Sequence, residues 1–344
     1  MKTKVIKVNP FHPDQEIIKE ASDLILKGEL VAFPTETVYG LGADATNSNA
    51  VRKIFLVKGR PPDNPLIVHI ARHEEINEVA IKIPERVYEL AKRFWPGPLT
   101  FILYRSQKIV DEVSAGLDTV AVRCPSHPVA NMLIIQSGKP IAAPSANKSG
   151  RPSPTRADHV LEDFKGEIPL ILDAGPTLYG VESTVIDMTK DPPVLLRPGA
   201  MPIEEVEKYI GEIVIPDFAR GYGKYEGKAL SPGMKYRHYS PNKPLILVEG
   251  ENKVAVIKDL LKENPRSGLV LTKETATHFK DHKEMIIIGS KENLYEVAYN
   301  LFSSLRAMDK RNVEIIITED VSEVGIGLAV MNRLRKAASK NIRA

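Results

Sequence analysis

The sequence predicts an α/β protein built from two unequal domains and a linker. Its 344 residues exceed one typical domain of about 100–200 residues. Strand patterns alternate with helical patterns, irregularly and with many prolines in residues 1–211, and regularly in residues 244–344. Residues 212–243 are rich in glycine and proline and lack apolar periodicity. We therefore predict a twisted, mixed α/β sheet domain, a linker and a small doubly wound parallel α/β domain.

The first domain begins with a helix, because Asp14 is a suitable N-cap and apolar residues recur at helical spacing up to Ile25. The apolar run 30–33 predicts a strand that Pro34 stops. Further strands are predicted at 66–70, 100–104, 119–123, 141–143, 170–172, 184–188 and 194–196, and helices at 51–57, 84–94 and 203–210. Residues 40–45 superficially resemble a dinucleotide fingerprint. They do not open a helix, so we interpret them as a turn.

In the second domain, strands and helices follow each other in strict alternation. Strands are predicted at 245–248, 269–271, 285–288 and 315–318, and helices at 254–261, 294–308 and 328–338, with a further short helix between the strands 269–271 and 285–288. Buried, β-branched strands that alternate with helices are typical of a small Rossmann-like parallel sheet.

Composition excludes several classes of protein. A hydrophobic content of 43% and a charged content of 26% are ordinary for a globular chain and exclude disordered or fibrous proteins. The net charge of 47 − 44 = +3 is too small for general nucleic-acid binding, although a local basic patch stays open. The single Cys124 excludes an internal disulfide and a cysteine-rich zinc site. With no apolar run of about 18 residues, we expect a cytoplasmic protein without a membrane segment.

Four cations lie in loops or at strand ends: Lys58, Arg60, Arg123 and Arg197. Lysine is a point charge for phosphate and arginine is a bidentate fork, so the Lys-Gly-Arg sequence would suit a polyphosphate. Such a pair taken alone is usually exposed, solvated surface. Arg123 either pairs with a buried acid or points into a site.

Small and hydroxyl residues accompany these cations. Ser145 and Asn147 follow a strand with small neighbours, on one side of an extended segment. Thr37 and Ser183 offer hydroxyls, for which a helix cap or turn is an equally good explanation. His69, inside an apolar strand, is by default a core histidine. The sequence shows no phosphate-loop, zinc-protease or nucleophile-elbow motif, so the candidate site binds anions and has no good nucleophile.

Taken together, these residues resemble one family. The segments that carry the resemblance are 33–41 (FPTETVYGL), 58–60 (KGR), 64–66 (NPL), 95–100 (WPGPLT), 143–147 (APSAN) and 196–199 (LRPG). In order and spacing they are similar to the YrdC-type domain of threonylcarbamoyl-AMP synthases. Residues 231–241 (SPGMKYRHYSP), followed by an α/β domain, resemble the long two-domain form. The resemblance implies a YrdC-like first domain in 1–211, an active-site lid in 212–243 and a Rossmann-like domain in 244–344.

The resemblance implies a nucleotidyltransferase that joins L-threonine, bicarbonate or CO2, and ATP to give L-threonylcarbamoyl-AMP and pyrophosphate. Mg²⁺ would accompany ATP, with no protein metal ligands. A tRNA threonylcarbamoyltransferase complex would then move the threonylcarbamoyl group to the adenosine beside the anticodon. The carboxylated threonine amine would supply the attacking oxygen, so positioning and charge neutralisation would replace a protein nucleophile.

The family's roles carry over residue by residue. Lys58 and Arg60 would be catalytic. The ATP contacts would be Lys58, Arg60, Asn64, Thr119, Ser145, Asn147, Ser153, Arg197 and Tyr236. The threonine contacts would be Thr37, His69, Arg123, Ala143 through its backbone, and Ser183. The lid would use Lys235, Tyr236, Arg237 and His238.

Two alternatives stay open. A concave surface lined by the four cations could bind RNA, even if only weakly, and such binding would weaken steeply with salt. The few aromatic residues in the site motifs argue against a single-strand binder. The second domain could instead be a separate nucleotide-binding or docking unit, although its sequence shows no convincing site.

Overall fold

The computed structural model describes residues 2–223, 227–231 and 238–344, and these form two α/β domains. The strands are β1 (Lys4–Lys7), β2 (Val31–Phe33), β3 (Gly40–Asp44), β4 (Ile67–His69), β5 (Ala80–Ile81), β6 (Leu99–Arg105), β7 (Thr119–Arg123), β8 (Ile141–Ala142), β9 (Leu170–Asp173), β10 (Thr184–Asp187), β11 (Val194–Arg197), β12 (Leu245–Glu249), β13 (Ser267–Leu271), β14 (Met285–Ile287), β15 (Ile315–Glu319) and β16 (Lys340–Arg343). The α-helices are α1 (Gln15–Leu26), α2 (Ser48–Lys58), α3 (Ile76–Val79), α4 (Glu85–Phe94), α5 (Asp111–Ser114), α6 (Pro128–Ser137), α7 (Ala157–Phe164), α8 (Ile203–Ile210), α9 (Asp217–Arg220), α10 (Lys253–Glu263), α11 (Lys273–Ala276), α12 (Leu294–Asp309) and α13 (Gly327–Ala337).

The sheet of the first domain is mixed, as predicted. Its strand order is β1-β9-β2-β3-β8-β4-β7-β6-β10-β11, and β5 pairs with β6. It contains both parallel pairs, such as β4 with β7, and antiparallel pairs, such as β6 with β7. Apolar clusters cover both faces, because α1 and α6 pack on one face while α2 and α4 pack on the other. The sheet is therefore buried between two layers of helix.

Most predicted elements of this domain are confirmed. Asp14 caps α1 by accepting hydrogen bonds from the backbone N–H groups of Glu16 and Ile17. The strand at 119–123 and the helix at 203–210 have the predicted bounds. The edge strand β1 and the helices α6 and α7 were not predicted. The sequence of α6 is apolar almost all round, so it lacks the amphipathic period that marks a surface helix.

The prediction of a turn at residues 40–45 is wrong, because this segment contains strand β3. Strand β3 pairs antiparallel with β2 and β8 and is buried along its length. A Cβ on Gly42 would lie 2.6 Å from the Phe33 ring and 2.8 Å from Ile141. The glycine is therefore needed for close packing inside a sheet rather than for a turn.

The second sheet is entirely parallel, as predicted, with the order β14-β13-β15-β12-β16. Helices α10 and α11 cover one face, and α12 and α13 cover the other. Strand β16 was not predicted. Helix α13 is buried on nearly every side, since it packs between its own sheet and the first domain.

Between the two sheets, the described part of the linker contains the short helix α9 and otherwise irregular backbone. The boundaries at residues 211 and 243 stay predictions. Within the described ranges, no helix combines the length and the apolar character needed to cross a bilayer.

Candidate active site

A cavity in the first domain brings together most of the predicted site residues. Its walls include Thr37, Lys58, Arg60, His69, Arg123, Ala143, Ser145, Asn147, Ser153, Ser183, Arg197 and His238. The parallel register of β4 and β7 pairs His69 with Arg123 and Ile67 with Ala121. Because side chains alternate along a strand, these four residues share one face of the sheet, which is the floor of the site.

The two cations at the end of α2 are buried in this cavity rather than exposed. Gly59 ends the helix in the left-handed region, with φ of +59°, and turns the chain back towards the sheet. Nζ of Lys58 donates to the carbonyl oxygens of Ser145, at 2.7 Å, and of Asn147. The default interpretation of a solvated surface pair is therefore wrong.

Burial changes the acid–base properties of Lys58. Desolvation, followed by repulsion from Arg60, holds the pKa of the Lys58 ammonium well below its ordinary value. The Arg60 guanidinium donates to the carbonyl oxygens of Asn64, at 3.2 Å, and Pro65, at 3.0 Å. Two cations held together out of water are electrostatically unfavourable until an anion arrives.

The segment from Ser145 to Asn147 is not extended as the sequence suggested. The N–H of Asn147 donates to the carbonyl of Ser145 at 3.0 Å, which closes a tight turn. This turn aims both carbonyls at Lys58. The Asn147 amide nitrogen donates to the carbonyls of Lys148 and Arg151, while its Oδ1 has no hydrogen-bond partner within the described residues.

Arg123 realises both alternatives that its sequence position left open. Its Nη2 lies 2.6 Å from Oε1 of the buried Glu36, so it pairs with an acid. Its Nη1 donates to Oγ1 of Thr37 at 2.9 Å, and its Nε donates to the Gly97 carbonyl at 3.3 Å. The guanidinium also forms part of the cavity wall, where protons on Nη1 and Nη2 are left for a ligand carboxylate.

Arg197 and Ser183 form a second wall. Nε and Nη2 of Arg197 donate to the Ser183 carbonyl at 3.1 and 3.0 Å, and Nη2 also donates to its hydroxyl at 3.1 Å. The Ser183 hydroxyl lies 2.8 Å from that of Thr100. Gly199 permits this arrangement, because a Cβ there would lie 2.2 Å from the backbone between Ser183 and Thr184.

His69 lines the cavity and is not simply a core histidine. Burial, followed by repulsion from Arg123, lowers its pKa to about 3, so its imidazole is neutral at pH 7. The ring meets Phe33 edge-on at 6.5 Å. Nearby, the N–H of Ala143 donates to the Ile67 carbonyl at 2.9 Å. The backbone N–H of Ala143 is therefore already occupied by the sheet.

Three predicted ATP contacts lie differently from the rest. Asn64 is buried just behind Arg60, outside the cavity walls. Thr119 begins β7, about 13 Å of strand away from Arg123, so the structure does not bring it into the cavity. Its side chain is on the same sheet face, and its nucleotide contact stays a prediction. The hydroxyl of Ser153 already donates to Oε1 of Glu182.

Of the predicted lid, Lys235, Tyr236 and Arg237 lie outside the described residues. His238 is buried in the cavity wall, and its pKa is lowered to about 3 by burial and then by Arg60, Lys336 and other cations. Earlier in the linker, Ala229 is buried against Ile67 and Ala121 on the floor of the site. The described linker residues thus cover the site from one side.

Burial of the four cations also bears on the RNA alternative. Lys58, Arg60, Arg123 and Arg197 are each at most 8% exposed. A nucleic-acid backbone needs cations on an accessible stripe or patch, so this arrangement suits a small, enclosed anion instead.

Sequence reasoning missed two carboxylates, Glu36 and Glu182. Both lie inside segments that drew attention for other residues, and both are buried against an arginine, Glu36 against Arg123 and Glu182 against Arg333. The sequence feature that could have identified both carboxylates is an acidic residue directly beside a hydroxyl residue, in a loop next to a buried strand. Only the fold supplies their arginine partners, which lie 87 and 151 residues away.

Two family models match the chain. One covers Sua5, YciO and YrdC proteins, is described as telomere recombination, and matches residues 23–199. The other, described as threonylcarbamoyl-AMP synthase, C-terminal domain, matches residues 201–339.

Full-length relatives are also similar. The threonylcarbamoyl-AMP synthase of Pyrococcus abyssi is 52% identical over 331 residues, which cover 94% of this chain and 95% of the relative. The Bacillus subtilis protein of the same name is 47% identical, with 94% of each chain covered. The crystal structure of P. abyssi Sua5 complexed with L-threonine superimposes with a TM-score of 0.91 at 49% identity, over 99% of this chain and 100% of the other.

Proposed function

The chain belongs to the family of two-domain threonylcarbamoyl-AMP synthases, and we propose that its cavity joins L-threonine, bicarbonate or CO2, and ATP into L-threonylcarbamoyl-AMP and pyrophosphate. The observation that carries this proposal is the composition of the cavity. It combines an arginine fork, Arg123, with three further buried cations, Lys58, Arg60 and Arg197. A zwitterionic amino acid and a triphosphate together match this charge distribution.

Threonine would bind at the Arg123 end of the cavity. Its carboxylate would accept hydrogen bonds from the protons that Arg123 keeps after contacting Glu36, Thr37 and Gly97. Neutral His69 and the hydroxyl of Ser183 flank this position. The neutral imidazole of His69, whose pKa of about 3 makes it a weak base, would accept a hydrogen bond from threonine rather than its proton; the ammonium proton would pass to water or bicarbonate before the amine attacks CO2.

ATP would bind with its phosphates among Lys58, Arg60 and Arg197. The amine takes up CO2 as a carbamate, and a carbamate oxygen attacks the α-phosphorus while the bond to pyrophosphate breaks. The cations stabilise charge on the phosphate oxygens, and the protein supplies no nucleophile. No triplet of carboxylate, histidine or cysteine side chains that could hold a metal occurs in the described ranges. Mg²⁺ would enter on the phosphate oxygens of ATP, as part of the substrate.

The linker would have to move when the substrates bind. The cavity has a volume of about 60 Å³. Pockets for drug-sized ligands measure about 300–1,000 Å³. His238 and Tyr239 form part of the wall, so opening residues 231–241 and closing them again over the ligands would exclude water from the mixed anhydride.

The product would pass to a tRNA threonylcarbamoyltransferase complex, which uses it to modify adenosine beside the anticodon. We place the enzyme in the cytoplasm on the same grounds, since the family resemblance implies tRNA modification.

The test is pyrophosphate release by the full chain. We expect release from MgATP only when both L-threonine and bicarbonate are present, with L-threonylcarbamoyl-AMP identified by mass. L-Serine replaces threonine in the control reaction. Equal release with serine, or release without any amino acid, would contradict the proposal.

A further inference from the structure

The second domain contacts the cavity through two buried arginines. Arg306 lies on α12 and Arg333 lies on α13, and each side chain is only 1% exposed. Both helices belong to the C-terminal domain, yet both guanidiniums are directed at the first domain. A guanidinium removed from water in this way is stable only where an acid and several acceptors meet it.

Arg333 holds together two loops that form one wall of the cavity. Its Nε donates to Oε2 of Glu182 at 2.9 Å, and its Nη2 lies 2.9 Å from the same oxygen. Its Nη1 donates to the carbonyl of Pro198, the residue after Arg197. The other oxygen of Glu182 accepts the hydroxyl proton of Ser153. One guanidinium thus links the segments that carry Ser153, Ser183 and Arg197.

Arg306 makes an equivalent contact on the other side of Ser153. Its Nε and Nη2 donate to the carbonyl of Pro152 at 3.1 and 2.7 Å. Its Nη1 and Nη2 donate to the two carboxylate oxygens of Asp163 at 3.1 and 2.9 Å. Each arginine therefore combines a buried acid with the carbonyl of a residue adjacent to a predicted ATP contact.

We propose that Arg333 and Arg306 are positioning residues through which the C-terminal domain fixes Ser153 and Arg197 for ATP. This inference rests on the proposed function and gives the second domain a role in catalysis that does not require a site of its own. The planar fork sets both the distance and the angle between each acid and its carbonyl. Loops held only by their own backbone would place the same side chains less accurately, and small misplacements reduce turnover strongly.

The charge state of Glu182 supports this arrangement. Burial alone would raise its pKa, but the guanidiniums of Arg333 and Arg197 and the Ser153 hydroxyl hold it below its ordinary value. Glu182 is therefore a carboxylate at pH 7, able to accept from Ser153 and Arg333 together.

The test compares three arginine-to-lysine variants of the full chain: Arg333→Lys, Arg306→Lys and Arg335→Lys. Lysine keeps the charge beside the acid but loses the second, directed hydrogen bond to the carbonyl. Arg335 is the matched control, because it is buried on the same helix and also combines acids, Glu249 and Glu323, with a carbonyl, that of Arg220 in the linker, none of which lines the cavity. Steady-state pyrophosphate release is measured with ATP and threonine varied separately, at a temperature where all variants are folded.

We expect kcat/KM for ATP to fall about tenfold or more in Arg333→Lys, as for the loss of one charged hydrogen bond. The fall should be similar or smaller in Arg306→Lys, and no more than about twofold in Arg335→Lys. The KM for ATP should rise more than the KM for threonine, because Arg123 and His69 keep their contacts and only Ser183, among the groups around threonine, lies on a segment that Arg333 links. A merely structural role would lower Tm and leave this ratio unchanged. Equal kinetics in all three variants would overturn the inference, whereas an inactive wild type would instead reject the proposed function.

Discussion

Charged side chains gather at the ends of helices and strands in two places in this molecule, and the two places are built in opposite ways. In the first domain, Lys58, Arg60 and Arg197 are buried side by side around a cavity. Several polar atoms there, among them Nδ1 of His69 and Nε2 of His238, find no hydrogen-bond partner in the described part of the chain. The cavity is thus an incomplete network that a ligand can complete.

The carboxyl edge of the second sheet is a complete network. Glu319, at the end of β15, accepts hydrogen bonds from the backbone and hydroxyl of Thr272, at 3.0 and 2.8 Å, and from Thr275, at 2.7 Å. Lys291 lies 3.0 Å from the same carboxylate. The helices that follow β12 and β15, α10 and α13, cover opposite faces of the sheet. Lys253 pairs with Asp320 in the crevice between these two strands.

The difference teaches where function lies in this chain. Rossmann-like sheets bind ligands at the carboxyl edge, where the direction of winding reverses. Here that crevice is filled by the protein's own ion pairs, so nothing favours the second domain as a separate nucleotide-binding unit. The incomplete cavity in the other domain carries the ligand chemistry, and the second domain contributes through its two buried arginines.

The largest expected effect is on turnover, from Lys58→Met. Removing this cation from the ATP phosphates should lower kcat/KM for ATP by about 10²–10³. Burial makes the Lys58 charge unfavourable in the free enzyme, but methionine leaves the Ser145 and Asn147 carbonyls without their donor, so the two effects should nearly cancel and Tm should change little. Pyrophosphate release and thermal unfolding measure the two quantities on the same preparation. A large drop in Tm together with retained turnover would contradict the view that the cavity is an incomplete network whose charges serve a ligand rather than stability.

A substitution in the complete network of the second sheet should have the opposite effect, lowering stability and leaving turnover unchanged. Glu319→Gln removes the charge that faces Lys253 and Lys291 and weakens the bonds from Thr272, so unfolding should become about 2–3 kcal/mol easier. Turnover per folded molecule should stay near that of the wild type. Urea unfolding followed by circular dichroism measures the first quantity and pyrophosphate release the second. A selective loss of ATP affinity would show that this edge is a site after all.

The sequence pattern predicted those helices and strands that are determined by residues close together in the chain. The cap at Asp14, the strand ending at Arg123 and the alternation after residue 244 need only neighbouring residues. Strand β3 escaped prediction because Gly42 is required by Phe33 and Ile141, which pack on it in the sheet. A glycine read without its tertiary neighbours indicates a turn.

The candidate site shows the same difference between features that nearby residues determine and features that only the fold determines. Ordered motifs identified its cations and hydroxyls, but not how they are neutralised. Glu182 and Arg333 are 151 residues apart, and Asp163 and Arg306 are 143 apart. In the helical pattern of the sequence, Arg306 and Arg333 look like residues of a solvated helix face. Nothing near them in the sequence indicates that each will be buried against an acid from the other domain.

The smallest expected effect is an acid sensitivity that originates in the cavity. His238 has a pKa of about 3 in the folded protein, lowered by burial and by Arg60, Lys336, Lys58 and Arg197, against about 6.5 when unfolded. Between these values the unfolded chain binds the extra proton, so stability is full above pH 6.5 and is lost as pH falls towards 3. At pH 5 the loss from one such histidine is at most about 2 kcal/mol.

Urea unfolding at pH 8 and pH 5, compared between the wild type and His238→Gln, measures this contribution. The variant should lose less stability on acidification, by up to that amount, because glutamine does not titrate. His69, whose pKa is also about 3, should behave alike in His69→Gln. If acidification lowers the free energy of unfolding equally in all three proteins, then the cavity does not keep its histidines neutral among cations. The contrast with the neutralised edge of the second sheet would then have no electrostatic basis.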